Sequence, residues 1–166
     1  MAFPRHTGKF LVIPPLCLLA AFLTFSAWAP TAAAGGSAAV VSDYHTGLAL
    51  SGYDPVAYFA EAKPVPGRAE LEISDWRGVF RFRNEGNRDA FVAHPEIYAP
   101  QFAGYDPLAL ARGVALAGNP LEWEIVGDRL YFFDSPQARA AFKQDPAHAI
   151  AIAAERWPGV AEGIVR

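Results

Sequence analysis

Sulfur is almost missing from this chain. Its 166 residues include one cysteine, Cys17, and one methionine, Met1, and both lie close to the start. The rest of the chain therefore offers no thiolate or thioether for a structural zinc site or a Cu(I) site, and no disulfide within one chain. Histidine, carboxylate and phenolate are the metal ligands that remain, and stability must come from an apolar core.

Charged residues are scarce as well, at 19% of the chain, and the net charge is −3. Loss of residues 1 to 34, which carry two basic residues and no acid, would change this to −5. A negative balance argues against nucleic acid as a partner. The sequence also lacks a glycine-rich phosphate loop, G-x-S-x-G, H-E-x-x-H and C-x-x-C-H. We therefore expect a protein that is not an enzyme and that needs no cofactor.

The start of the chain has the pattern of a targeting segment. Arg5 and Lys9 precede the apolar run "FLVIPPLCLLAAFLTFSAWA". Its two prolines disfavour a continuous helix, so the uninterrupted apolar stretch extends only from Leu16 to Trp28. This length suits a signal-peptide core better than a membrane span of about 20 residues. We predict a signal peptide over residues 1 to 34 and a periplasmic or secreted location. The alternative is that the segment stays uncleaved as a membrane anchor. Only then would we expect the chain to contact a membrane.

A tandem duplication follows. "GYDPVAYF" begins at Gly52 and "GYDPLALA" begins at Gly104. After a one-residue deletion, further pairs match over some 45 residues, namely Gly67 with Gly118, Phe80 with Tyr131, Phe82 with Phe133, Arg88 with Arg139, Ala90 with Ala141, Phe91 with Phe142 and Pro95 with Pro146. Because these matched pairs keep the same order and need only one change in spacing, they indicate one structural unit built twice.

Each copy reads as a short helical turn, a β-hairpin and a helix. Asp before Pro has the form of a helix N-cap, while "LEISDWRGVFRFR" and "EWEIVGDRLYFF" alternate apolar and polar residues around a turn. We predict an α+β fold in which a flexible segment over 35–49 precedes a first unit over 50–103 and a second unit over 104–158. Small units of this kind should share one core, and a C-terminal helix should cover it. Its inward face is predicted to hold Ala147, Ile150, Ala151 and Ala154.

Several blocks carry a resemblance to a known family. These are "GYDPVAYF", "KPVPG", "FRFRNEGNRDAFVAHPEIYAPQFAGY", "GNPLEWEIVGDRLYFF" and the final "RWPG". Together, from about Leu50 to Gly159, they resemble secreted members of the YHS domain family. The resemblance implies a link to small metal-binding modules and to periplasmic proteins. Family members commonly have a cysteine after the second Gly-Tyr, where this chain has Asp106.

Asp54 and Asp106 are the first candidates for chemistry, as paired carboxylates for acid-base work or metal binding. The structural interpretation, which we favour, is that each caps a helix. Tyr53 and Tyr105 precede these caps and are expected in the core. A ligand site, if these residues form one, would combine Tyr53, Asp54, Tyr98, Tyr105 and Asp106.

A metal site is the alternative use of these aspartates. Its ligands would be His45, Asp54, His94, Asp106 and His148, drawn from distant segments, because no histidine has a second one within four residues. The leading hypothesis is a non-enzymatic extracytoplasmic module that binds a small ligand or a protein. The alternative hypothesis is a His/Asp-type protein for Zn or Cu(II), and the third is an enzyme whose site leaves no sequence signature.

Overall fold

The computed structural model describes residues 38–75 and 77–164. Within these ranges helices and antiparallel strands combine in two small sheets, which confirms the α+β class. The first unit contains a 3-10 turn Leu50–Gly52, α1 (Ala57–Ala60), β1 (Arg68–Asp75), β2 (Gly78–Phe82), α2 (Glu85–Ala93) and α3 (Pro95–Tyr98). The second contains a 3-10 turn Gln101–Gly104, α4 (Pro107–Ala111), β3 (Asn119–Val126), β4 (Arg129–Phe133), α5 (Pro136–Phe142) and α6 (Pro146–Ile164).

The two Gly-Tyr-Asp-Pro stretches have the same local conformation. In both copies the two residues before the glycine have positive φ, Leu50 and Ser51 in the first copy and Phe102 and Ala103 in the second. This region is sterically costly for residues other than glycine. The chain then passes through the aspartate into α1 or α4, and later through a polar N-cap, Asn84 or Ser135, into α2 or α5.

Each hairpin has the same irregularity. Strand β1 pairs with β2 and β3 pairs with β4, both antiparallel, and the register shifts between Arg68 and Glu72 in one hairpin and between Asn119 and Trp123 in the other. Three residues thus bulge from the first strand of each pair. In the second hairpin Gly127 and Asp128 both have positive φ, which is the geometry of a tight two-residue turn.

The core consists of two clusters, with β4 between them. Leu130 and Phe132 belong to the first cluster with Phe80, Phe82 and Phe91. Tyr131 and Phe133 belong to the second cluster with Phe142 and Trp157. Because successive strand residues point to opposite faces, both faces of β4 are buried. The core shared by the two units therefore consists of two clusters, and the second unit contributes to both of them through β4.

Two further segments contribute to the core clusters. Residues 38–49, for which the sequence predicts flexibility, contribute Ala38 to the second cluster and Val40 and Ala49 to the first. The amide of Ala49 donates to Val79 O at 2.8 Å, so this segment also pairs with β2. Helix α6 covers the second cluster.

The predicted inward face of α6 is right only in part, because Ile150 and Ala154 pack against the second cluster but do not form the buried stripe. Ala147 and Ala151 are exposed, and Ile150 and Ala154 are only partly buried. The buried residues are Ala149, Ala153, Trp157 and Ala161, spaced four apart along one stripe. Trp157 is the largest side chain on the helix, and burial of its ring sets the rotation. The helix runs past Pro158 to Ile164, beyond the predicted boundary.

No helix among residues 38–75 and 77–164 is long and apolar enough to cross a membrane.

Candidate functional site

Asp54 is fully buried and accepts four hydrogen bonds. Its Oδ1 accepts the backbone N–H groups of Val56 at 2.8 Å and Ala57 at 3.3 Å. Its Oδ2 accepts the backbone N–H of Arg83 at 2.8 Å and the side-chain amide Nδ2 of Asn87 at 2.7 Å. The carboxylate thus caps the turn that begins α1 and also holds the chain where β2 ends and α2 begins.

Asp106 repeats most of this pattern in the second unit, where it is 1% exposed. Oδ1 accepts the N–H groups of Leu108 at 2.7 Å and Ala109 at 3.2 Å, and Oδ2 accepts the N–H of Asp134 at 2.9 Å. The predicted helix cap is therefore confirmed for Asp106, whereas Asp54 caps the turn at residues 55–56 that leads into α1. Each carboxylate also joins a helix start to a strand end 28 or 29 residues later, a contact that local sequence does not reveal.

Backbone pairing fixes each aspartate in place. The N–H of Asp54 donates to Val65 O at 2.9 Å, and that of Asp106 donates to Leu116 O at 2.9 Å. Gly67 and Gly118, one of the matched pairs of the repeat, donate to the carbonyl of the motif glycine in their own unit. A Cβ on either would lie 2.5 Å from heavy atoms of β2 or β4. Only glycine permits this approach, so both copies need it.

The pKa of the second aspartate is raised above its ordinary value. Burial raises the pKa of Asp106, and the neighbouring Asp134 carboxyl raises it further, while the N–H groups of Asp134, Ala109 and Leu108 oppose the change. Tyr58 is another perturbed group, because burial raises the pKa of its hydroxyl far above the usual value. That hydroxyl donates to Pro120 O at 3.0 Å, which joins the first unit to the second.

The candidate tyrosines lie in two different places. Tyr53 and Tyr98 are partly buried against the first cluster, where Tyr98 makes an edge contact with Phe59 at 5.2 Å between ring centroids. Tyr105 packs against the second cluster, 5.9 Å from the ring of Trp157. Burial raises the pKa of Tyr105. Tyr98 and Tyr105 therefore contribute to separate surfaces, and Asp54 and Asp106 serve the unit in which each lies.

The candidate histidines are exposed. His45 lies in a turn whose N–H groups are accepted by Asp43 Oδ1, and His94 pairs with Glu96 at 3.4 Å. The backbone N–H of His148 donates to Asp145 Oδ1 at the start of α6. In residues 38–75 and 77–164 no group of three or more His, Cys, Asp or Glu is placed to hold a metal ion.

Two residues with central roles were missed in the sequence. Asn87 supplies the fourth hydrogen bond to Asp54, and Tyr58 links the units. Both lie at positions where the repeat is broken, since their counterparts are Ala138 and Leu110. Mismatched positions within an otherwise matched repeat were thus the signal that could have identified them.

Comparisons with protein-family models, with curated proteins and with solved structures found no match to this chain. The function has to be inferred from the geometry of the paired aspartates and of the partly exposed aromatic side chains.

Proposed function

We propose that this chain is a non-enzymatic extracytoplasmic binding module of the YHS type, and that it binds a small organic ligand or a protein through aromatic side chains. The location rests on the apolar segment near Arg5 and Lys9, and the family on the resemblance of the repeated blocks. The structural support comes from the way in which the buried carboxylates are used.

The observation that carries the proposal is the commitment of Asp54 and Asp106 to backbone N–H groups. Each Oδ1 accepts two N–H groups at a helix start, and each Oδ2 accepts one from a strand end. A carboxylate engaged in this way orders the scaffold, and its oxygens are poorly placed to coordinate an ion or take a proton from a substrate. Recognition then falls to side chains at the surface.

Partly exposed aromatic side chains of the first unit supply such a surface. Tyr53, Phe59 and Tyr98 all pack on the first cluster without being fully buried. The edge contact between Phe59 and Tyr98 holds both rings in place. Rings that are fixed before binding lose little conformational freedom, and a tyrosine combines an apolar face with a polar tip. We assign ligand contact to this aromatic surface, defined by Tyr53, Phe59 and Tyr98.

Native mass spectrometry of untagged protein from the extracytoplasmic fraction tests the proposal. We expect an adduct of an organic molecule or a second protein, which Tyr98→Ala weakens at least tenfold. Tyr44→Ala is the matched control, because it removes a tyrosine ring that is 95% exposed. One equivalent of Zn or Cu(II) in place of an organic adduct would favour the metal alternative. An adduct that is equally stable in both variants would contradict the assigned surface.

Sequencing of the same material tests the location. We expect a first residue between Ala32 and Ala39, as a cleaved signal peptide requires. An intact Met1 on membrane-bound protein would instead support the anchor.

A further inference from the structure

The loop that leads into the hairpin differs between the two units at its backbone donors. It reads "KPVPG" before β1 and "VALAG" before β3. In both loops the carbonyl of the central residue accepts the N–H of the Gly-Tyr-Asp-Pro aspartate at 2.9 Å, and the final glycine donates to the glycine of that motif. The loops therefore correspond residue by residue, and the counterparts of Pro64 and Pro66 are Ala115 and Ala117.

The backbone groups of Ala117 point away from the strand segment with which it pairs. Ala117 forms an antiparallel bridge with Tyr105, and the two hydrogen bonds of that bridge join the residues on either side of this pair. In such a non-hydrogen-bonded pair the N–H and C=O of both residues face outward. Alternation along the extended segment puts the groups of Ala115 on the same side.

These outward groups form an open strand edge. Within residues 38–75 and 77–164, no hydrogen bond involves the N–H or C=O of Ala115 or Ala117. Both alanines are exposed, as are Val114 and Leu116. An exposed edge with free donors and acceptors is a template on which another extended segment can pair.

The same edge is closed in the first unit. Pro64 and Pro66 have no N–H to donate, and Lys63 adds a charge beside them. Proline and lysine are residues that natural proteins place on strand edges to prevent pairing. In the second unit alanine restores both donors, and Val114 stands in place of the lysine. The two copies therefore differ in whether this edge can accept a partner.

The surroundings of the open edge are apolar and uncharged. Val114 is 51% exposed, Leu116 39% and Leu121, in the first part of β3, 51%. No charged residue occurs from 113 to 121, whereas the corresponding stretch of the first unit has three. Exposed apolar side chains grouped in this way are typical of an interaction surface.

The edge is complementary to itself. A two-fold axis through Leu116 sets Ala115 opposite Ala117 of a second copy, where the two residues can exchange both N–H···O bonds. The Leu116 side chains of the two copies then meet in the non-hydrogen-bonded position, where side chains approach most closely, and Val114 lies opposite Gly118. No like charges face each other, although the chain carries a net charge of −3.

We propose that Val114 to Gly118 is a dimerisation edge, through which two copies of this chain join by antiparallel strand pairing. Pairing of one patch with itself is the form of contact that closes a two-fold dimer. The interface belongs to the second unit and the aromatic surface to the first, so dimerisation and ligand contact use different residues.

Sedimentation equilibrium of purified untagged protein tests the edge. The variant Ala115→Pro with Ala117→Pro removes both donors, and it should fold because the first unit has proline at the same positions. We expect the wild type to dimerise reversibly, and the double variant to dimerise at least about a hundredfold more weakly. Val92→Lys is the control, because Val92 is an exposed apolar residue of the first unit, and it should leave dimerisation unchanged.

Leu116→Lys gives a second result that does not depend on proline. It keeps every backbone donor but places two like charges opposite each other, so it should weaken the dimer as well. Amide hydrogen exchange gives a third result: exchange at Ala115 and Ala117 should slow as the protein concentration rises, while that at the exposed Tyr44 should not. A wild type that stays monomeric, including one that instead captures an extended segment of another protein at this edge, would overturn the proposal. So would a dimer that survives both the double proline variant and Leu116→Lys.

Discussion

Replacement of Asp54 by alanine should destabilise the first unit strongly. The change removes the acceptor of four donors, two at the start of α1, one directly after β2 and one in the first turn of α2. Loss of a helix cap typically costs about 1 kcal/mol. The backbone N–H of Arg83, now in a partly buried hydrogen bond, would also lose its acceptor, and an unpaired N–H of this kind costs up to about 1–3 kcal/mol more. The Asn87 side chain can rotate to solvent and adds little.

The sum is a loss of about 3 kcal/mol in the free energy of unfolding, after allowance for the relief of removing a buried charge. For a domain of this size, roughly 4 °C of melting temperature corresponds to 1 kcal/mol, so the midpoint should fall by about 12 °C. Circular dichroism during heating and in urea measures both quantities.

The matched control for this change is Asp89→Ala. Asp89 is exposed, and its contact is with the neighbouring Arg88. We expect a change within about 0.5 kcal/mol, as is usual for exposed ion pairs. If Asp54→Ala is no more destabilising than Asp89→Ala, the structural role of the buried carboxylate is refuted.

Three further predictions concern packing and charge. Phe91→Ala and Phe142→Ala should each cost about 3–5 kcal/mol in urea unfolding, because both rings are buried in their own cluster; a large difference between them would contradict equivalent roles. Tyr58→Phe should cost about 1–2 kcal/mol, because Pro120 O loses its donor, and an unchanged urea midpoint would contradict that. Burial raises the pKa of Glu124, but its cationic partners lower it overall, so its contribution to stability is present at neutral pH and lost as the pH falls through the folded-state pKa. Glu124→Gln should therefore flatten the acid side of the melting profile, and an unaltered profile would count against the ion pairs.

Local patterns in the sequence predicted the elements and the caps well. Asp before Pro at a helix entry satisfies backbone groups only two and three residues away, and that requirement is visible in the sequence. The second function of the same carboxylate, holding the N–H of Arg83 or Asp134, depends on where the hairpin returns. That contact depends on tertiary structure, so the sequence pattern could not specify it.

The rotation of α6 was mispredicted for a similar reason. The alanine and isoleucine residues of α6 form several faces that are similarly apolar. The face that packs inward is the one that buries the large Trp157 ring. The double burial of β4 was also missed, although its run "RLYFF" has four consecutive apolar residues, which is typical of a strand covered on both faces.

Elemental analysis combined with thermal melting would decide whether the paired aspartates order a binding scaffold or hold a metal ion. Untagged wild-type protein, Asp54→Ala and Asp106→Ala would be measured for zinc and copper and then melted. We expect no stoichiometric metal in any of the three proteins and a lower melting temperature in both variants. Near-equimolar metal in the wild type that either substitution abolishes would contradict it.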